Sequence, residues 1–314
     1  MGIYLNPGND GFKKSIRSII YVDKTELIAR TNELIGTKEK YVCVSRPRRF
    51  GKSMALEMLA AYYSRGCDSG ELFVGMKIQN DPSFEEHLNR YDVIYLNMQH
   101  FLISARKQGM IEYLECSVFE EFWEEYGTFI KDSNIAFTDA LKRIYVQTGK
   151  KFIFLIDEWD CVMRERQESE DLQRQYLDFL RNLLKDQPYV AMAYMTGILP
   201  VKKYGQQSAL NMFWEYSMTD QNIFEEYTGF TQEEVRKLCQ RFDMDFDGLR
   251  ADIVRMLSGG GVRVNTFSFQ NDMRTFRSKD DVLTLLIHLG YLGYDAEKKE
   301  AFRKAGAGDG AETS

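Results

Sequence analysis

Short apolar runs alternate with longer amphipathic stretches over the first two thirds of the chain. Four mostly apolar runs predict buried strands, at residues 40–45, 93–97, 151–157 and 189–196. Apolar residues at helical spacing predict helices over residues 26–35, 54–63, 109–130, 133–147 and 173–184. Strands that are apolar throughout and alternate with helices are typical of a parallel sheet covered by helices on both faces. We therefore predict an α/β core over residues 1–225.

The pattern becomes helical from about Phe230. Thr231, followed by acidic residues at 233 and 234, resembles a helix N-cap. Further helices are predicted over 246–257 and 279–289, and residues 290–302 predict a hairpin with a polar turn. Residues 226–304 are thus expected to form a small helical, winged-helix-like lobe. Residues 305–314 are small and polar and predict a disordered tail.

Composition and charge narrow the class of protein. The chain has 314 residues, 44% hydrophobic and 28% charged, as in an ordinary globular protein. Its formal net charge of −6 gives no overall basic field, so we expect no strong binding to nucleic acid. Five cysteines without a C-x-x-C pair, and three histidines, argue against a disulfide framework or a zinc site. The amino terminus lacks a signal-peptide layout and no apolar run is long enough to span a bilayer, so we expect a cytoplasmic protein without membrane contact.

A candidate phosphate-binding motif follows the first predicted strand. Phe50-Gly51-Lys52-Ser53 lies between a strand and a helix, where backbone amides and the lysine cradle phosphates and the hydroxyl binds Mg²⁺. The first glycine of the usual G-x-x-x-x-G-K-[ST] motif would fall at position 46, which is arginine. Taken alone, Gly-Lys-Ser occurs by chance in many proteins and is more often a solvated turn.

Two carboxylates, Asp157 and Glu158, end the third predicted strand. In P-loop proteins a carboxylate at this place holds the Mg²⁺ shell, and an adjacent glutamate accepts a proton from the attacking water. Alone, the pair is more often an exposed strand end. Both motifs in the right order, each after a buried strand, favour nucleotide binding. The sequence does not distinguish ATP from GTP.

Three arginines and a threonine are further candidates. Arg46, Arg48 and Arg49 in one tight loop repel one another unless anions or carboxylates share the site. Phosphate contacts and salt bridges to acids such as Asp23 explain them equally well. Thr196 ends the fourth predicted strand, where a polar side chain can approach the γ-phosphate or the attacking water; a turn cap is the alternative.

Several stretches together resemble the AAA-ATPase-like family of bacterial proteins, which usually carry a restriction-endonuclease-like (PD-(D/E)XK) domain at the C-terminus. The resemblance runs from about residue 15 to 302 and is carried by Tyr21-Val-Asp-Lys-Thr25, Ser45-Arg-Pro-Arg-Arg-Phe-Gly-Lys-Ser53, Leu155-Ile-Asp-Glu158, Thr196-Gly-Ile198, Gly229-Phe-Thr-Gln-Glu-Glu-Val235 and Lys279-Asp-Asp-Val-Leu283. It implies ATP and Mg²⁺ as ligands, and an arginine in place of the first loop glycine is normal for the family.

The residues and the resemblance lead to one assignment of the site. We assign Ser53 and Asp157 to the metal and Glu158 and Thr196 to catalysis. The nucleotide-binding residues are Arg48, Arg49, Phe50, Gly51, Lys52 and Ser53.

Two departures from the family affect the prediction. Family members have a longer segment, with a Trp-Tyr-Asp-Gly-Tyr-like motif, where residues 242–247 join two predicted helices directly, so we expect a shortened lobe. The nuclease-like domain is missing after Phe302, so we expect no nuclease activity. We predict a Mg²⁺-dependent ATP hydrolase that acts as a molecular switch, with a protein partner or self-association left open. A non-hydrolysing nucleotide-binding adaptor is the main alternative, and a small-molecule phosphotransferase fits the double acid less well.

Overall fold

A computed structural model describes residues 2–18, 20–105, 109–132, 135–201, 210–217, 224–241, 244–266, 278–288 and 292–303. The chain divides into two compact units, residues 1–229 and 230–314. The sequence placed this division after residue 225. In the part of the chain that the structure describes, no helix has the length and apolar character that crossing a membrane requires.

The first unit is built on a five-stranded parallel sheet. Its strands are β1 (Tyr41–Ser45), β2 (Asp92–Asn97), β3 (Phe152–Asp157), β4 (Val190–Gly197) and β5 (Trp214–Tyr216), in the order β2-β3-β4-β1-β5. Strands β1, β3 and β4 are buried along their whole length, which is why their sequences are mostly apolar. The predicted α/β fold with a parallel sheet is confirmed, and all four predicted strands lie within one residue of their observed ends.

Helices cover both faces of the sheet. They are α1 (Asp10–Ile16), α2 (Glu26–Leu34), α3 (Lys52–Tyr63), α4 (Phe84–His87), α5 (Met98–Ser104), α6 (Met110–Ile130), α7 (Phe137–Thr148), α8 (Cys161–Glu165) and α9 (Glu170–Leu184). Alternate strand residues point to opposite faces. Val42 and Val44 therefore pack with α1–α4 in one apolar cluster, whereas Tyr41 and Cys43 pack with α5–α9 in another.

The sequence predictions differ from the structure at several places. Helices α1, α4, α5 and α8 and strand β5 were not predicted, because helices of four to seven residues and a three-residue, partly exposed strand produce no sustained apolar pattern. Helix α3 begins at Lys52 rather than Met54, and Met54 is 40% exposed. Helix α7 begins at Phe137 rather than at 133, and residues 133 and 134 lie outside the described part.

The second unit combines three helices with a small antiparallel sheet. The helices are α10 (Gln232–Arg241), α11 (Phe246–Leu257) and α12 (Lys279–His288), and the strands β6 (Val262–Arg263), β7 (Leu292–Asp295) and β8 (Glu300–Arg303) are ordered β6-β8-β7. Thr231 caps α10: its Oγ1 accepts from the Glu234 amide at 3.2 Å, and its own amide donates to Glu234 Oε2 at 2.7 Å. The predicted helical, winged-helix-like lobe is present, and the predicted tail, 305–314, lies outside the described residues.

Candidate nucleotide-binding site

The carboxyl ends of β1, β4 and β3 lie side by side at one edge of the sheet, with β4 in the middle. The Arg46 amide donates to the Gly197 carbonyl at 3.0 Å, and the Trp159 amide donates to the Thr196 carbonyl at 3.0 Å. The segments that leave β1 and β3 are thereby tied to the end of β4. The topology thus brings together three segments that are far apart in sequence, residues 46–53, 157–160 and 196–199.

The loop between β1 and α3 turns through two residues with positive φ, Arg49 at 71° and Gly51 at 76°. Lys52, the first residue of α3, is buried, and its Nζ donates to the carbonyl oxygens of Arg46 and Pro47 at 3.0 Å each. The first backbone N–H groups of a helix and its dipole favour an anion. Lys52 therefore adds a cation to a place that already suits phosphate.

Asp157 joins the three segments of the site. Its Oδ2 accepts a hydrogen bond from Ser53 Oγ at 2.7 Å, and its Oδ1 accepts from Thr196 Oγ1 at 2.6 Å and from the Glu158 amide at 3.0 Å. The Asp157 side chain is only 1% exposed. Thr196, for which a turn cap was the alternative, thus directs its hydroxyl to the carboxylate. Because β4 lies beside β3, the last polar side chain of β4 reaches the carboxylate at the end of β3.

The donor atoms at this edge fit a magnesium nucleotide. A serine hydroxyl and a carboxylate 2.7 Å apart are the oxygen ligands that Mg²⁺ prefers. The carboxylates of Asp157, Glu158 and Asp160 outnumber the two cations beside them, Lys52 and Arg164. Burial lowers the pKa of the Lys52 ammonium, and the carboxylates of Glu158 and Asp157 oppose that shift. The local field therefore favours an added divalent cation.

Glu158 has a strained backbone and a tightly held side chain. Its φ of 52° lies in the left-handed region, which costs a non-glycine residue about 1–3 kcal/mol. Its carboxylate forms an ion pair with Arg164 Nη2. Burial raises the pKa of the Glu158 carboxyl, whereas the Arg164 guanidinium lowers it. Backbone strain of this kind is typical of functional sites, where the surrounding structure fixes the direction of a side chain.

Arg46, at the position of the missing glycine, is 2% exposed and bound inside the protein. Its Nε donates to Thr228 Oγ1 at 3.1 Å, and its Nη1 donates to the carbonyl oxygens of Ser45 at 3.0 Å and Tyr216 at 2.8 Å. The described partners of Asp23 are Thr25 and the Lys77 amide. Arg46 thus anchors the loop to β5 and to the end of the first unit.

The other loop residues have different surroundings. Arg48 and Arg49 are exposed. The Phe50 carbonyl accepts from the Gly229 amide at 2.9 Å, and a Cβ at Gly229 would stand 2.8 Å from the Phe50 ring. Of the residues assigned to the nucleotide, Lys52 and Ser53 therefore lie with Asp157, Glu158 and Thr196, whereas Phe50 packs on the segment that leads to residue 229.

The sequence interpretation missed two residues of this site, Asp160 and Arg164. Asp160 is fully buried, and its Oδ2 accepts from Arg164 Nε at 3.1 Å. Their sequence spacing could have identified them. Asp160 is a third acid two residues after Glu158, and Arg164 follows it by four residues, which is the spacing of neighbours on a helix. Trp159, between Glu158 and Asp160, is fully buried.

Comparisons with known proteins show what this chain resembles. A family model described as "Predicted AAA-ATPase" matches residues 8–206. The "Uncharacterized protein in vnfD 5'region" of Azotobacter chroococcum mcd 1 is 24% identical over 244 residues, which are 76% of this chain and 44% of that protein. This chain therefore spans less than half the length of that relative. The structure of C. elegans PCH-2 aligns with 91% of this chain and 63% of its own, at 12% identity and a TM-score of 0.32, which is too low to support an argument.

Proposed function

This chain belongs to the AAA-ATPase-like family of predicted AAA-ATPases, and from that premise we propose that it binds ATP with Mg²⁺ and hydrolyses it as a molecular switch. One observation carries the proposal. The Ser53 hydroxyl and the Asp157 carboxylate are 2.7 Å apart beside the first turn of α3, where Lys52 begins the helix. In P-loop proteins these three groups hold the metal and the β- and γ-phosphates.

Each side chain has a distinct role in this proposal. Lys52 and the first amides of α3 bind the phosphates, and Ser53 and Asp157 would hold magnesium. Magnesium, when bound, supplies positive charge that stabilises the charge on the transferring phosphoryl group. Thr196, hydrogen-bonded to Asp157 at 2.6 Å, fixes the orientation of that carboxylate. The Glu158 carboxylate accepts a proton from the attacking water.

Two isosteric variants test these roles. Glu158→Gln should lower the rate of hydrolysis by about 10²–10⁴-fold, because a general base is lost, while MgATP affinity is retained. Asp157→Asn should weaken MgATP binding as well as hydrolysis, because the metal-binding charge is removed. The measurements are single-turnover hydrolysis and equilibrium binding of MgATP for each variant. Wild-type hydrolysis by Glu158→Gln would show that Glu158 is not the base.

A nucleotide-binding adaptor that does not hydrolyse ATP is the second candidate. The observation that favours it is the loop itself, since Pro47 has no amide to donate and the Arg46 amide already donates to the Gly197 carbonyl at 3.0 Å. Fewer backbone donors then face the phosphates than in a loop with the full glycine pattern. MgATP binding without any phosphate release by the wild-type protein would establish the adaptor and exclude the hydrolase.

A further inference from the structure

Arg164 bridges two carboxylates next to the proposed catalytic base. It belongs to the short helix α8, and its side chain is largely buried. Its Nη2 contacts Glu158 Oε2, and its Nε donates to Asp160 Oδ2 at 3.1 Å. Charge-assisted hydrogen bonds of this kind are stronger than those between neutral groups, and the planar guanidinium fixes the angle between its two partners.

Asp160 is a fixed anchor for this guanidinium. It is fully buried, and its Oδ2 also accepts from the backbone amides of Ile198 at 3.1 Å and Leu199 at 2.8 Å. A buried carboxylate is tolerated only when it is paired and hydrogen-bonded, so moving Asp160 would leave several buried groups without partners. The position of Arg164 is therefore set by the backbone that follows β4.

The backbone around Glu158 is fixed as well, since the Glu158 amide donates to Asp157 Oδ1 at 3.0 Å. The Trp159 amide donates to the Thr196 carbonyl at 3.0 Å, and the Trp159 carbonyl accepts from Tyr176 Oη at 2.7 Å. Because this backbone is fixed, only rotation about the side-chain bonds of Glu158 can still change the position of its carboxylate. Holding a glutamate side chain in one rotamer costs conformational entropy, which the ion pair with Arg164 offsets.

We propose that Arg164 is a positioning residue for ATP hydrolysis, which holds the Glu158 carboxylate in the orientation that meets the attacking water. Arg164 touches neither phosphate nor metal in this role and acts through Glu158. The proposal rests on the proposed ATPase function and adds a link from the catalytic glutamate, through Asp160, to residues 198 and 199. A misplacement of about 1 Å in a reacting group can cost about 10²-fold in rate, so removal of a positioning residue such as Arg164 should have a measurable effect.

The first test compares steady-state kinetics of two arginine variants from the same region. Arg164→Gln should lower kcat at least about tenfold and leave KM within about twofold, because the lost interaction acts on the transition state and not on ATP binding. Arg166→Gln is the matched control, since Arg166 is exposed and its guanidinium donates only to the Glu165 carbonyl among the contacts described. Arg164→Lys keeps a charge beside Asp160 and should therefore recover part of the kcat lost in Arg164→Gln. The recovery should be incomplete, because an ammonium cannot hold both carboxylates in the same plane.

A double-mutant cycle separates positioning from general destabilisation. In a Glu158→Gln background, Arg164→Gln should change kcat by less than about twofold, because its effect acts through the missing carboxylate. An equal loss in both backgrounds, an unchanged kcat in Arg164→Gln, or a raised kcat would each overturn the proposal while leaving the ATPase function intact. If Arg164→Gln does not fold, Arg164→Lys replaces it in the same cycle. Absence of hydrolysis by the wild type would instead refute the proposed function, and this inference with it.

Discussion

Gly197→Ala should destabilise the first unit, because the end of β4 has no room for a methyl group. A Cβ at Gly197 would stand 2.6 Å from Cδ1 and Nε1 of the Trp159 ring and 2.9 Å from Asp160 Oδ1. Real Cβ contacts are essentially never shorter than 3.0 Å. Both neighbours are fully buried, and the Trp159 backbone is hydrogen-bonded on both sides. Neither group can therefore move aside without disturbing the core.

The expected magnitude follows from the cost of overpacking. Extra atoms in a well-packed core cost about 1–3 kcal/mol. We expect the upper end, about 3 kcal/mol, because an indole ring and a buried carboxylate are both in the way. A unit of about this size loses about 2–4 °C in Tm per kcal/mol, which gives a decrease of about 6–12 °C. Hydrolysis should fall too, since Asp160 holds Arg164 and the shifted segment carries Glu158.

Thermal unfolding measured by Trp fluorescence and circular dichroism tests this expectation. Gly109→Ala is the matched control, because a Cβ at Gly109, at the N-cap of α6 with φ of −63°, would meet nothing within 4 Å. The control should unfold within about 2 °C of the wild type, because the poorer N-cap preference of alanine, about 1 kcal/mol, is offset by the about 0.4–1 kcal/mol gained from a less flexible unfolded chain. A Tm for Gly197→Ala equal to that of the control would refute the close approach of β4 to Trp159.

Three further predictions concern the loop, its anchor and the second unit. Lys52→Ala should abolish MgATP binding measured by calorimetry, without unfolding the protein. The control Lys150→Ala, which removes an exposed lysine elsewhere, should bind MgATP normally. Retained affinity in Lys52→Ala would contradict the phosphate-loop assignment. Thr228→Val should lower the free energy of unfolding by about 1–3 kcal/mol, because the buried Arg46 Nε loses its acceptor. An unchanged midpoint in a denaturant titration would show that the bond from Arg46 to Thr228 does not stabilise the protein. The full chain should not bind duplex DNA tightly, because residues 295–300 of the hairpin carry mixed charges; submicromolar, steeply salt-dependent gel shifts would disprove this.

Most of the sheet was predictable because a strand that is buried on both faces has a mostly apolar sequence. Strands β1, β3 and β4 are of this kind, and each predicted end is within one residue of the observed one. Strand β5 has no such apolar run, because it has only three residues and Trp214 is exposed. Its place beside β1 depends on pairing with a strand about 170 residues earlier, between Trp214 and Val42, and local periodicity contains no information about that pairing.

The candidate site was predictable where one motif adjoins one strand. Lys52, Ser53 and Asp157 follow strands that the sequence shows plainly, and the meeting of parallel strand ends then brings them together. The partners that hold Glu158 were not predictable. Arg164 lies on a five-residue helix, too short to produce a pattern, and the anchor of Asp160 consists of backbone amides, which any residue type supplies.

The surroundings of Arg46 show why an arginine at this position is compatible with the loop that we propose to bind phosphate. The left-handed turns are made by Arg49 and Gly51, so the loop does not require a flexible residue at 46. The Arg46 carbonyl accepts from Lys52, and its side chain is bound to Tyr216 and Thr228. The replacement therefore depends on acceptors about 170–180 residues later in the chain. A buried guanidinium without such acceptors would cost several kcal/mol, so an arginine at this position requires Tyr216 and Thr228 to lie against the loop.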